Sequence, residues 1–408
     1  MTIQAITNGV IFDGESRYSD LAVLVEAGRI AAIVPAGDVP DSAAVFDLDA
    51  GLLTPGLVDL QVNGGGGVLF NHEPSVETIR KIGLAHRRFG TTGFLPTLIT
   101  SDYDTMRKAV VAVAQAMGQG VPGLLGIHFE GPFLNGARAG IHDATRVRVP
   151  DGEALEILGH LDSGTTLVTL APEITGCDFI RELSDLGVVV CAGHTAASYE
   201  QIKAALQAGL SGFTHLFNAM TPMGSREPGV VGAALEDDAS WYGIIADGHH
   251  SHPASFRAAV RAKRQGGAVL VSDAMATVGS TEDSFELDGQ LIRVTDGRCT
   301  NADGTLAGSQ LDMLSAVNNA ARFAGIDWFE ALRMASLYPA RALGMDAEIG
   351  RILPGQRANL LALDSDRRIL ATWIDGDCSL AKASYLIAGR VRFGCKPFDM
   401  PMKGGWME

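Results

Sequence analysis

The chain has 408 residues, 47% hydrophobic and 19% charged, with a formal net charge of −15. That length suffices for a barrel of about 250–300 residues plus a smaller domain. The negative balance argues against nucleic acid or an anionic membrane as a partner, and an anionic small molecule would need local cations to hold it. The five cysteines (Cys177, Cys191, Cys299, Cys378 and Cys395) are odd in number and scattered, with no Cys-x-x-Cys pair, which reads as a reduced protein. The opening residues, Met1–Gly9, have neither the basic region nor the apolar core of a signal peptide. No apolar run approaches the roughly 18 residues of a membrane span. A soluble, cytoplasmic protein is expected.

Residues 1–53 read as short strands without a helical period. Ala5–Phe12 and Leu21–Val25 are β-rich, and Gly28–Val34 after Glu26-Ala27-Gly28 completes a hairpin. From residue 54 the rhythm changes to strand, loop, helix, repeated. The strand candidates are Leu57–Val62, Phe94–Leu98, Leu124–Phe129, Thr166–Leu170, Val188–Ala192, Gly212–Thr214, Tyr242–Ala246 and Ala268–Val271. Helical stretches fall between most of them: Val76–Phe89, Tyr103–Met117, Glu153–His160, Asp178–Leu186, Ser198–Ala208 and Pro253–Arg264. Eight strands alternating with helices is the count of a (β/α)8 barrel; a doubly wound open sheet is the competitor.

The polar, Gly-rich stretch Gly279–Thr305 reads as an irregular β excursion. Ser309-Gln310-Leu311-Asp312 resembles a capping box opening a helix through Phe323. A further helix, Trp328–Ala335, breaks before Pro339 and resumes to Leu343. Gly350–Gly355 and Ala358–Leu363 return to strand chemistry. Residues 350–408 are therefore expected to complete the small β domain begun by 1–53, with the barrel spanning 54–349 between them. Gly404-Gly405 suggests a loose terminus.

The candidate chemistry collects at strand ends. His194 follows the run Val188–Ala192 and His215 follows Gly212–Thr214, one strand–helix unit apart. In a parallel barrel the carboxyl ends of the strands converge, so two imidazoles there form a natural pair of ligands for a divalent metal; the alternative is two unrelated strand-end histidines. The third strand ends Ile127-His128-Phe129-Glu130, with His128 and Glu130 on one face. Glu130 with His194 and His215 would leave a fourth position open, as in catalytic zinc sites, whereas alone it reads as a salt-bridged carboxylate. Asp273 after the eighth strand is either a turn cap or a base able to take a proton from water and pass it to a leaving group. Asp59, Gln61 and Asn63 share a face of the first strand. Neutral amides bind such ions poorly, so one metal is expected rather than two. Asp247-Gly248-His249-His250-Ser251-His252 is a second metal site, a solvated loop or an anion contact, the last preferred for His250. His142 lies in the loop after Glu130, near enough to reach over the metal.

Together these residues resemble the amidohydrolase superfamily. The likeness rests on Leu-Thr-Pro-Gly-Leu-Val-Asp (53–59), Gly-Arg-Ile-Ala (28–31) and Gly-Arg-Ile-Leu-Pro-Gly (350–355). Within it, the chain is similar to the N-acetylglucosamine-6-phosphate deacetylase family. The motifs are Gln-Val-Asn-Gly (61–64), Leu-Pro-Thr-Leu-Ile-Thr (95–100), His-Phe-Glu-Gly-Pro-Phe (128–133), Thr-Leu-Ala-Pro-Glu (169–173), Ala-Gly-His-Thr (192–195), Thr-His-Leu-Phe-Asn-Ala-Met (214–220), Ile-Ala-Asp-Gly-His-His (245–250) and Val-Ser-Asp-Ala (271–274).

The resemblance implies a TIM barrel of the amidohydrolase type with a small β-sandwich made from both termini. It implies one divalent metal per subunit on Glu130, His194 and His215, zinc foremost, with iron, manganese or cobalt acceptable. It implies a catalytic Asp273, with His142 polarising the acetyl carbonyl. Ile141, Asn218, Ala219, Arg226, Asp247, His250 and the stretch Leu306-Ala307-Gly308 are the substrate contacts it suggests. It further implies a homodimer in which Arg226 and His250 serve the partner's site. The expected reaction is removal of the N-acetyl group from N-acetyl-D-glucosamine 6-phosphate, giving D-glucosamine 6-phosphate and acetate. The alternatives are the galactosamine epimer, a cyclic amidase or dihydroorotase-type enzyme, and a non-catalytic sugar-phosphate sensor. The cyclic amidases usually pair histidines where this chain has Gln61 and Asn63, and a sensor would be expected to lack Asp273 or a ligand.

Overall fold

A computed structural model describes residues 3–381 and 395–397. The chain divides into two compact units, Leu57–Asp346 and Met1–Gly56 with Ala347–Glu408.

The larger unit is a (β/α)8 barrel. Its eight strands are Leu57–Val62, Thr91–Ile99, Gly126–Glu130, Thr165–Leu170, Val189–Ala192, Gly212–Phe213, Trp241–Ile244 and Ala268–Leu270, hydrogen-bonded in chain order. Neighbouring strands pair in parallel throughout. The seam between first and eighth is closed just past the strand ends, where Asp273 N donates to Gln61 O (3.0 Å) and Asn63 N to Ala274 O (2.9 Å). Below that point Asp59 grips Ser272, its carboxylate accepting from the Ser272 N–H (3.1 Å) and hydroxyl (2.5 Å).

The helices start where local chemistry allows. Ser75, Asp102 and Asp151 each cap one by accepting from a backbone N–H three residues on, and Ser198 does so within a capping box. The helix Pro172–Asp185 begins earlier than the expected Asp178, because its first turn is kinked at Gly176 (φ 76°) and hides the period. Gly229–Glu236 was not expected as a helix: Gly-Val-Val-Gly-Ala-Ala is apolar all round and buried, so it carries no amphipathic signature.

One local expectation is corrected and two hold. Ser309 does not open a capping box; it ends a strand, Leu306–Ser309, and donates to Ser272 O (2.6 Å), while Asp312 caps the helix Met313–Ala324. As expected, the helix Trp328–Met334 stops before Pro339 and helix resumes as Leu337–Ala342, with Pro339 in its first turn, where the missing N–H costs nothing. The stretch after the eighth strand is the expected β excursion, a four-stranded antiparallel sheet of Ser284–Leu287, Gln290–Thr295, Arg298–Thr300 and Leu306–Ser309, with a register shift between its last two strands.

In the smaller unit the termini share a sheet. Leu360–Leu363 lies antiparallel to Leu52–Pro55, and a four-stranded sheet containing Gln4–Thr7 and Leu21–Glu26 supplies a second layer. Ile6, Val23, Phe46, Leu53 and Trp373 fill its core, with the Phe46 and Trp373 rings 4.9 Å apart, edge to face. Gly350–Gly355, expected as a strand, is turn and bend. Cys378 and Cys395 form a disulfide, against the expectation of a fully reduced chain; a spacing of 17 residues belongs to no cysteine motif, so nothing in the sequence paired them. The expected loose terminus at Gly404-Gly405 lies outside the described residues. Among those described, no helix is long and apolar enough to cross a membrane.

Candidate active site

Glu130, His194 and His215 come from the ends of the third, fifth and sixth barrel strands and meet at one point. His215 Nε2 lies 2.8 Å and His194 Nε2 3.3 Å from Glu130 Oε1, and the two Nε2 atoms are 3.0 Å apart. All three side chains are buried. His194 donates through Nδ1 to Arg138 O (2.8 Å), which fixes its tautomer with the Nε2 lone pair toward the cluster. Two imidazole nitrogens and a carboxylate oxygen turned inward, with a carbonyl behind one of them, fit a single divalent ion. Burial raises the cost of charge on Glu130, but its bonds to His194 and His215 outweigh that and hold it well below the usual carboxylate range.

Below the cluster runs a polar layer where barrels usually pack branched aliphatics. His128 bonds Thr97 Oγ1 (3.1 Å) and Thr169 Oγ1 (2.8 Å), and Thr169 continues to Thr214 (2.6 Å). Burial pushes His128 down to about 4, so it stays neutral.

Beside the cluster sits Asp273. Its Oδ1 accepts from Asn63 Nδ2 (2.6 Å) and Gln61 Nε2 (3.1 Å), and the same Gln61 amide reaches Glu130 Oε2 (3.1 Å). Gln61 and Asn63 therefore act on carboxylates. Burial, then the Glu130 charge, raises Asp273 to about 6. His142 closes the other side, its ring 4.4 Å from that of His194. Thr100 approaches His142 Nδ1 through its hydroxyl (2.8 Å) and its N–H (3.4 Å). Since an N–H only donates, Nδ1 is the acceptor and Nε2 carries the proton. Burial, then His194, lowers His142 to about 3, leaving a neutral donor.

His194, His215 and Asp273 all adopt left-handed backbone, with φ of 48°, 34° and 53°. For residues with a side chain this costs about 1–3 kcal/mol each and persists only where the surroundings impose it.

These groups line a cavity of about 370 Å³, together with Asn63, Ile99, Met275, Gly304 and Thr305. Of the substrate contacts suggested by the sequence, Ile141, His142, Asn218, Ala219, His250, Leu306 and Gly308 are in its wall. Three are not. Ala307 is packed in the core against Met275, because its side chain alternates away from its neighbours. Asp247 is behind His250, accepting from its Nδ1 (2.6 Å) and fixing the ring. Arg226 is exposed in the loop after the sixth strand, outside the wall. The three clustered histidines do not make a second metal site: His249 accepts from Arg298 Nε (3.0 Å), His250 bonds Asp247, and His252 caps the helix Pro253–Ala262. Thr100 and Gly140 were not expected as site residues: Thr100, within the motif 95–100, enters through its bond to His142, and Gly140 through the cavity wall.

Residues 52–391 match the model of the amidohydrolase family, and residues 4–53 that of the NagA composite domain. The chain belongs to the amidohydrolase family. Among relatives of this amidohydrolase, an N-acetylgalactosamine-6-phosphate deacetylase of Shewanella sp. (strain ANA-3) is 44% identical over 335 residues, 81% of this chain and 84% of the relative. The N-acetylglucosamine-6-phosphate deacetylase of Haemophilus influenzae is 35% identical over 376 residues, 91% of this chain and 98% of that one. The crystal structure of N-acetylglucosamine-6-phosphate deacetylase from Pasteurella multocida superposes with a TM-score of 0.90 at 37% identity, covering 93% of this chain and all of the other. A mutant of the Mycobacterium smegmatis enzyme, in complex with N-acetyl-D-glucosamine-6-phosphate, gives 0.86 at 31% identity, covering 93% and 99%.

Proposed function

We propose that this amidohydrolase removes the N-acetyl group from N-acetyl-D-glucosamine 6-phosphate, giving D-glucosamine 6-phosphate and acetate. The observation that carries the reading is the meeting of Glu130, His194 and His215 beside Asp273 and a neutral His142 in one cavity. A divalent ion held by Glu130, His194 and His215 supplies Lewis acidity and an acidified water. Zinc suits two nitrogens and one oxygen best, and iron, manganese or cobalt are acceptable to the same donors.

Asp273 is the base. Gln61 and Asn63 occupy its Oδ1, which leaves Oδ2 to take the proton of the attacking water. His142 donates through Nε2 to the acetyl oxygen as negative charge builds there. The proton on Asp273 then passes to the departing nitrogen, because an amine leaves poorly without one. Asp247 keeps His250 turned toward the sugar phosphate.

We propose a homodimer, with Arg226 serving the partner's phosphate site. Its support is an exposed cation beside an exposed Met223, with no hydrogen bond or ion pair among the described residues. A doubly charged sugar phosphate does not cross a bilayer unaided, which favours a cytoplasmic enzyme. The 44% identical relative favours a second reading, the galactosamine epimer at C4.

Acetate release from phosphorylated and plain N-acetyl hexosamines of both configurations, with metal content measured on the same sample, tests all of this. Activity on N-acetylglucosamine 6-phosphate, lost on chelation and restored by metal, is expected. Turnover of the galactosamine epimer alone would select the second reading. Arg226→Ala should raise KM for the phosphorylated sugar far more than for the plain one, and equal effects would remove Arg226 from phosphate binding.

A further inference from the structure

The motif Thr169–Glu173 ends in a carboxylate that the proposed reaction does not use. Glu173 sits in the first turn of the helix Pro172–Asp185, just past the fourth barrel strand. It has no cationic partner among the described ion pairs. Instead it accepts three hydrogen bonds: Asn135 Nδ2 at 2.9 Å and Ala196 N at 2.6 Å on Oε1, and Thr195 Oγ1 at 2.5 Å on Oε2. Asn135 belongs to the loop after the third strand, and Thr195 and Ala196 to the loop after the fifth. One side chain thus ties three consecutive strand–helix loops.

Both routes out of this clamp end on His194. Thr195 and Ala196 are its next two neighbours in the chain. Asn135 donates from its backbone N–H to His194 O (2.9 Å), and its Oδ1 accepts from Ala137 N (3.0 Å), which opens the short turn Gly136–Arg138. Arg138 at the end of that turn offers the carbonyl that takes the His194 Nδ1 proton. The backbone of His194 is left-handed, so something outside the residue must hold it there.

We propose that Glu173 is the positioning residue of the metal centre: it fixes the backbone and tautomer of His194 by clamping the loops on either side. This rests on the reading of Glu130, His194 and His215 as ligands of one ion. The clamp calls on acceptors at both carboxylate oxygens. Ala196 N–H and the Asn135 Nδ2 group can only donate, and the Thr195 hydroxyl donates to Oε2 while accepting from Ala197 N (3.1 Å). A glutamine there would put an NH2 group in place of one of the two acceptor oxygens.

The test uses the full chain stripped of metal. Zinc affinity is read by chelator competition, the coordination geometry by the visible absorption of the cobalt-loaded protein, and folding by the melting temperature without metal. Glu173→Gln and Glu173→Ala should weaken zinc binding about 10–100-fold, the range seen when such outer partners are removed, and alter the cobalt bands. The metal-free melting temperature should barely move. Thr195→Val, which deletes one of the three donors, should lose affinity in the same direction by less, and stands in if Glu173→Ala does not fold. Wild-type zinc affinity and an unchanged cobalt spectrum in Glu173→Gln overturn the proposal. A wild-type protein that takes up no divalent ion overturns instead the reading on which it rests.

Discussion

Asp273 has two carbons of side chain and three demands on it. It must sit near a second carboxylate, keep one oxygen free, and hold a proton for part of the cycle. Gln61 and Asn63 meet the first two by neutralising the approach to Glu130 without adding charge. Burial meets the third by lifting Asp273 to about 6. Asp273→Asn should therefore keep its metal and fold but lose roughly 10²–10⁴-fold in kcat, checked by steady-state rates with metal content. The sign of the pH effect follows from the role. Only the ionised carboxylate is a base, so kcat/KM should fall tenfold per unit below its pKa. A bound dication favours the ionised form, so the acid limb should lie at or below about pH 6. A pH–rate profile with that limb above pH 7 would take Asp273 out of the role.

Strand ends are the elements that matter here. His194, His215 and Asp273 each lie just past a strand end in left-handed backbone. The fifth strand shows how tight this is. A Cβ on Gly193 would meet Thr169 Cγ2 at 2.5 Å and Thr214 Cβ at 3.0 Å, so only glycine lets the chain reach His194 at that height. Gly193→Ala should cost about 1–3 kcal/mol and displace a ligand, read as a lower melting temperature together with substoichiometric metal. Gly131 is comparable, because a Cβ there would strike the Thr100 hydroxyl that orients His142.

At the scale of the molecule, each unit is closed by residues remote in sequence. The barrel seam joins Gln61 to Asp273, and the smaller unit joins Leu52–Pro55 to Leu360–Leu363. The second closure depends on a core built from both termini, with Trp373 fully buried against Phe46 and donating to Gln4 Oε1 (3.2 Å). Trp373→Ala should destabilise that unit by about 3–5 kcal/mol, measurable as a shifted urea transition.

The sequence by itself determined the eight strands, since each is a short apolar run stopped by a polar or glycine-bearing turn, and that pattern is local. It likewise offered Glu130, His194, His215 and Asp273, because a charged or metal-ligating side chain at the end of a buried strand conflicts with its surroundings unless something meets it there. What a side chain does when its partner lies a hundred residues away was not legible. Ser309 read as a cap because the helix beside it was visible and Ser272 was not. The bond of Thr100 to His142 and those of Gln61 to Glu130 and Asp273 appeared only when distant segments met. The pairing of Cys378 with Cys395 and the exclusion of Arg226 from the cavity wall were decided only in three dimensions. Hydrophobic periodicity is written along the chain, whereas a hydrogen bond between distant segments exists only once the fold has brought its two ends together.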